Sequence, residues 1–361
     1  MILKLQLVNL KILVLDGISE SRGSLDIDFV NLLNLKHLFL RRNNFIDFNY
    51  HKRGIDHGLT HLYLSENYLT VANSSNLPNS LAHLDLSSNQ LRDVMINDLS
   101  SLIFLDISRN NEILHICTDC DRFSIIAYPI ERDEFGSPVK RYSSFNSKNL
   151  FSLKHLNASY NKIESVDTDS FIDTYNLVTL DLSSNRIDFL EQDVFKNLSA
   201  LRYLYINNNQ LTYTPNVCDL INLEILNLSG NRISIVSSNA FHGLSKLTIL
   251  YLNTNKINCI KDNAFESLIS LKVLDLSENV LHTLPENWIP PQNKLGTLIL
   301  ENNQFNSLSD IQFTNVESLK DLYIYNNPFQ VSGNLHLRSL IDLPPNVTLH
   351  LELKSVNTIH T

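Results

Sequence analysis

The sequence predicts a solenoid of the α/β class: a stack of short repeats with a parallel β-sheet on one face and irregular or short helical segments on the other. Three observations predict it. The pattern LxxLxLxxN recurs twelve times, ending at Asn43, Asn67, Asn89, Asn110, Asn161, Asn185, Asn209, Asn231, Asn255, Asn279, Asn303 and Asn327. Seven of the eleven intervals between these asparagines are 24 residues, two are 22, one is 21 and one is 51. Many units carry Phe followed three positions on by Leu, as in Phe195 and Leu198, Phe241 and Leu244, and Phe265 and Leu268. A period sustained over most of 361 residues replaces the two or three globular domains that length alone would suggest.

In each unit a short strand turns two leucines inward and the residues between them outward, as period-two alternation requires. Parallel strands stacked about 4.8 Å apart align identical slots into ladders. The asparagines follow the strand, where a side-chain amide satisfies backbone groups left unpaired by the turn, so they are read as structural. The strand side of each unit is shorter than its back, so the array is expected to curve and present a concave sheet. LKILVLDGI, Leu10 to Ile18, reads as a degenerate thirteenth unit with Ile18 in the asparagine slot.

This is the leucine-rich-repeat signature. The 24-residue units with their phenylalanine resemble the extracellular-type repeats of Toll-like receptor ectodomains and insect leucine-rich immune proteins. The resemblance implies a leucine-rich-repeat horseshoe of about thirteen repeats over residues 1–332, followed by a cap segment over residues 333–361. Extracellular relatives close both ends with cysteine-rich caps, and this sequence departs from that pattern. Asn327-Pro328-Phe329 resembles the opening of such a cap, but Gln330-Val331-Ser332 follows without cysteine. A covering helix from Leu335 to Leu343 and a final strand from Val347 to Leu353 are expected instead.

Composition narrows the function classes. Hydrophobic content of 43% with 19% charge excludes a disordered chain, and nine glycines with ten prolines exclude collagen-like and low-complexity sequence. A formal charge of -9 argues against a nucleic-acid partner or an anionic membrane surface. No apolar run reaches the roughly 18 residues of a membrane span. Lys4, Gln6, Asn9 and Lys11 interrupt the amino terminus and make it a poor secretory leader. Membrane attachment is expected only through an anchor outside this sequence. No nucleophile elbow, phosphate loop or H-E-x-x-H occurs, so no enzyme activity, catalytic residue, cofactor or metal is expected.

Recognition is expected on the outward strand positions, because the inward ones are committed to packing. The first outward column contains His37, His61, His83 and His155, with Asp85 and Asp106 in the second. Neighbouring imidazoles resist simultaneous protonation, so this sector is expected to change charge between about pH 5 and 8. The later repeats display Tyr203, Tyr205, Tyr251, Tyr323 and Tyr325, with Ile225, Ile249 and Ile299 between them. Tyrosine supplies rigid amphipathic area and is enriched in recognition surfaces. These histidines, aspartates and tyrosines are the candidate ligand-binding residues of the concave face.

The 51-residue interval holds an insertion within 111–150: Asn110 and Leu153 lie 43 residues apart where Asn161 and Leu177 lie 16 apart, so about 27 are extra. It carries Cys117 and Cys120, read as a local disulfide or two free thiols; no second half-site completes a zinc site. Cys218 and Cys259 sit at different phases of the repeat and are not expected to bridge. Sequons occur at Asn73, Asn157, Asn197, Asn227 and Asn346 and favour a secretory route. The function expected is a non-enzymatic recognition module at the cell surface or secreted, binding a protein or microbial ligand, with homo- or heterodimerisation open. An intracellular repeat scaffold or adaptor is the alternative.

Overall fold

The computed structural model describes residues 2–3, 9–19, 21–27, 32–50, 58–113, 115–117, 131–132, 138–139, 144–331, 343–344 and 346–351. The chain forms two compact units, Met1–Tyr205 and Ile206–Thr361. In the first, the strands Ile12–Val14, His37–Phe39, His61–Tyr63, His83–Asp85, Phe104–Asp106, His155–Asn157, Thr179–Asp181 and Tyr203–Tyr205 pair in chain order, all parallel. In the second, Ile225–Asn227, Ile249–Tyr251, Val273–Asp275, Thr297–Ile299, Asp321–Tyr323 and Thr348–His350 do the same. Both units are therefore parallel-strand solenoids. The degenerate first repeat supplies a true strand, and Thr348–His350 falls within the expected final strand. Of the expected covering helix, residues 335–342 lie outside the described residues.

From His37–Phe39 to Asp321–Tyr323 the front strands show the same pattern, with the middle leucine buried and its two neighbours half-exposed; in the end strands Ile12–Val14 and Thr348–His350 the middle leucine is only half-buried. Leu38, Leu62, Leu84, Leu105, Leu180 and Leu204 are 0% exposed in the first unit. At roughly 1.5–3 kcal/mol for each fully buried aliphatic side chain, this column dominates cohesion between successive repeats. The phenylalanine slot forms a second internal stack. Phe171 and Phe195 lie 6.4 Å apart in the first unit, and Phe241 and Phe265 5.7 Å apart in the second. Trp288 extends the second stack edge-on to Phe265 at 6.1 Å, and its Nε1 donates to the Gln312 carbonyl at 2.8 Å.

The asparagine ladder closes the turns. Asn279 is 4% exposed; its Nδ2 donates to the carbonyls of Leu252, Leu276 and Ser277, and its Oδ1 accepts from the Ile257 amide. Asn89 repeats this set with Leu64, Leu86, Ser87 and Leu69. One side chain thus satisfies three carbonyls and one amide, in its own repeat and the one before it. The residue just before each ladder asparagine takes a left-handed conformation, with φ between 53° and 64° from Arg42 to Asn326. Only Gly230 among them is a glycine, and Thr254, β-branched at φ 54°, is the most strained.

Helix is scarce among the described residues: Pro328–Val331, with 3-10 turns at Ser74–Asn76 and Leu308–Asp310. Short strands occupy the back of the repeats in their place. Val71–Asn73, Asp93–Met95, Ser144–Asn146, His115–Cys117 and Ser165–Val166 form a parallel sheet in that spatial order. The insertion therefore leaves after one back strand and returns through another, Ser144–Asn146, wedged between the earlier two. Phe145 and Leu150 then re-enter the core, both 0% exposed. Cys120 and the Cys117 side chain lie outside the described residues, as does the question of their disulfide. Cys218 and Cys259 are free.

Asn279→Leu is expected to lower stability by about 2–4 kcal/mol, since it strands several buried carbonyls and one amide; urea unfolding measures it. Thr254→Asn should instead raise the melting temperature, by relief of about 0.5–1 kcal/mol of backbone strain, because asparagine tolerates the left-handed region and stands at Asn208, Asn302 and Asn326.

Candidate recognition surface on the strand face

Strand register sets the site. His37, His61, His83, Phe104 and His155 are successive register partners, so five rings stand in one outward column of the first unit. The rings stack rather than splay. Centroids lie 4.3 Å apart for His37 and His61, 5.5 Å for His61 and His83, and 4.2 Å for His83 and Phe104, with the last pair nearly parallel at 2°. His155 is looser, 6.3 Å from Phe104, and its Nδ1 lies 3.1 Å from Thr179 Oγ1. In the second column Phe39 stacks on Tyr63 at 4.4 Å and 4°, and Tyr63 crosses to His83 at 4.9 Å. Arg41 caps this column, 5.2 Å over Phe39, and its Nε and Nη2 both donate to Asp16 Oδ2, at 3.0 and 2.8 Å.

Phe39, Tyr63 and Phe104 are thus as much part of the surface as the four histidines singled out from sequence. Their presence in the outward columns was the available signal. What the columns did not reveal was that the ring faces cover one another and that His61 Nδ1 meets Thr60 Oγ1 at 2.9 Å.

Burial pushes the His61 imidazole below the ordinary histidine value, and His37 adds to the effect. His83 moves in the same direction, again through burial first and then through His61, with Asp85 opposing. Burial raises the Asp106 carboxyl, and Asp85 reinforces the shift. Both histidines are therefore neutral near neutral pH and take up protons only on acidification.

Asp85 and Asp106 also have a local structural task. Asp85 Oδ1 accepts from the Ser87 amide and hydroxyl, and Asp106 Oδ1 accepts from the Ser108 amide. Asp181 with Ser183 and Asp275 with Ser277 close the same turn. Asn157 with Ser159 and Asn227 with Ser229 do so as well, each through one oxygen that accepts from the serine amide and hydroxyl. The sequons at Asn157 and Asn227 thus coincide with a recurring Asp/Asn-x-Ser turn that the sequence displays in several repeats. Asn157 Nδ2 further donates to Asp106 Oδ2 at 3.1 Å.

The tyrosines divide between the units. Tyr203 and Tyr205 stand side by side on the last strand of the first unit, with Arg202 lying 5.5 Å over Tyr203. In the second unit two strands separate Tyr251 from Tyr323, so these two are not brought together. Beside Tyr251, in the first outward column, Ile225, Ile249 and Val273 form a half-exposed aliphatic row. Tyr323 stacks on His350 at 4.0 Å and 3°, and His350 Nε2 lies 3.1 Å from Asp321 Oδ1. Tyr325 hydrogen-bonds to Glu301, whose carboxyl is raised by burial despite that bond.

Among the described residues, no group of three histidine, cysteine or acidic side chains is placed to hold a metal ion. His115, at the root of the insertion, is held between Asp167 Oδ1, 3.1 Å from its Nε2, and the Ser165 hydroxyl on its Nδ1. No helix among the described residues is long and apolar enough to cross a membrane.

His61 and His83 have folded-state values below the unfolded value of 6.5, so their contribution to stability is full above that value and is lost as pH falls through the folded values. The protein should lose stability between about pH 7.5 and about pH 5.5, and His61→Phe with His83→Phe should lose less; urea midpoints at the two pH values check this.

Comparison with known proteins follows the repeat. Residues 151–211, 215–257 and 245–298 match the leucine rich repeat family, and residues 80–102 match a second leucine rich repeat description. Human oligodendrocyte-myelin glycoprotein is 27% identical over 165 residues, which is 45% of this chain and 36% of that protein. The chain thus spans about a third of the length of that relative. The solved TLR13–ssRNA13 complex superposes with a TM-score of 0.51 at 19% identity, over 96% of this chain and 64% of that one. An internalin from Listeria monocytogenes superposes with a TM-score of 0.60 at 21% identity, over 96% and 87%. With the repeat, the parallel strands and these likenesses together, the matched residues are leucine-rich repeats, and the fold of the chain is similar to that of the Toll-like receptor structure.

Proposed function

We propose that the chain is a non-enzymatic recognition module, secreted or part of a cell-surface ectodomain, which binds a protein or microbial ligand through its outward strand face. The observation that carries this reading is the ring ladder His37, His61, His83 and Phe104 with Phe39 and Tyr63 beside it. Half-exposed aromatic area of this extent on a sheet face is what protein recognition uses. The inward leucines and the asparagine ladder are committed to packing and hydrogen bonding, so variation free of the fold is left to the outward columns. Likeness to a human glycoprotein and to an internalin supports a surface role, and the acidic balance speaks against a nucleic-acid ligand. The sequons at Asn73, Asn197 and Asn346 accord with a secretory route, all three lying off the strand face.

Expressed behind a secretory leader, the chain should emerge folded and carry mass removable by glycosidase. Tetramers of it should stain target cells or bacteria; Tyr63→Ser with Phe104→Ser should cut staining about tenfold or more, while Ile235→Ser on the back strand should leave it unchanged. Failure to fold in the secretory route, with folding in the cytosol, would favour an intracellular scaffold.

A further inference from the structure

On the first unit's face the second outward column runs Val14, Phe39, Tyr63, Asp85, Asp106, so it passes from apolar to acidic along five register-paired strands. At its apolar end Val14 is 57% exposed and its neighbour Ile12 55%, an uncovered pair continuous with the stacked Phe39 and Tyr63. At the acidic end Asp85 and Asp106 are register partners, and neither is paired with lysine or arginine among the described residues. Arg41, the cation beside them, is turned onto Asp16. Ring faces in the ladder are covered by one another, so an incoming cation meets carboxylates rather than ring faces.

We propose, resting on the recognition role above, that this face holds an extended peptide segment with an apolar residue against Val14 and Phe39 and a lysine or arginine against Asp85 and Asp106, and that protonation of His61 and His83 expels it. Five strands at about 4.8 Å span roughly 20 Å, which an extended segment of about seven residues covers at roughly 3.3 Å each.

The groups facing the imidazoles make acid the releasing condition. His61 meets His37 from one side, His83 from the other, and Thr60 Oγ1 at its Nδ1, while Asp85 stands opposite its strand-mate Tyr63. His83 meets the rings of His61, Tyr63 and Phe104, and Asp85 on its own strand is the carboxylate that acts on it. A proton on His83 places a cation on the strand of Asp85 and one strand from Asp106, and a proton on His61 adds one a strand further along, cancelling the field that draws the basic residue. Burial and the neighbouring imidazoles hold both histidines neutral until the pH falls.

The test uses the full chain and a displayed library of random segments of about seven residues, panned near pH 7.5 and eluted by a step to about pH 5.5. Enriched segments should pair an aromatic or aliphatic residue with a lysine or arginine, and the acid step should release about tenfold more than a neutral wash. Asp85→Asn with Asp106→Asn should abolish the basic preference. His61→Phe with His83→Phe should bring the ratio of acid to neutral release toward one, whatever the absolute affinity; Phe39 and Phe104 show that phenylalanine fits these columns, and circular dichroism checks the fold. Enriched segments that are acidic or uncharged, or that survive the acid step, overturn this inference and leave the recognition face standing. If no segment is enriched, or if enriched segments bind a Tyr63→Ser and Phe104→Ser variant equally well, the recognition reading falls with it.

Discussion

The four hydrogen bonds of a ladder asparagine are the constraint on which the rest of the structure depends. Each front strand is only three residues long, too short to define its own register by pairing alone. The asparagine fixes that register by tying three carbonyls and one amide of two successive repeats to a single buried amide group. A slip of one residue would expose the leucines and bury the outward columns. The left-handed residue before each asparagine is the strain the chain carries to aim that side chain inward.

From that register the ring ladder of the proposed recognition surface follows. Because His37, His61, His83 and Phe104 are held opposite one another, their rings lie close enough to stack, and stacking buries them sufficiently to hold two imidazoles neutral. The same turn explains the aspartates. Asp85 and Asp106 are placed first as acceptors for Ser87 and Ser108, and their charge toward solvent is what the turn leaves over. The turn and the proposed recognition face share these side chains, and the buried His61 and His83 beside them tie the charge of the face to pH.

Much of the fold was legible in the sequence because its two determinants are periodic. Leucine and asparagine spacing placed the front strands, the inward column and the outward columns, and the degenerate unit at Leu10 to Ile18 proved to carry the strand Ile12–Val14. The back strands were not legible, since pieces as short as Ile235–Val236 show no alternation to read. Nor was the left-handed position, where Arg42, Tyr160, Thr254 and Gly230 share one backbone conformation with no common side-chain chemistry. The path of the insertion was hidden because Phe145 reaches the core from a strand that pairs out of chain order. In the surface, sequence located the columns but not the ring stacking or the serine turns, which depend on side-chain directions that spacing does not encode.

Amide hydrogen exchange on the backbone groups that donate to the ladder tests the central claim most directly. Leu69, Leu91, Leu211, Ile233, Ile257 and Leu281 each donate their amide to a ladder asparagine of the next repeat. If the ladder holds the register, these amides exchange only with unfolding of their whole unit and share one protection free energy within it. Fast, unequal exchange at these positions, with the leucine-column strands still protected, would contradict the account and leave the register to the strands alone.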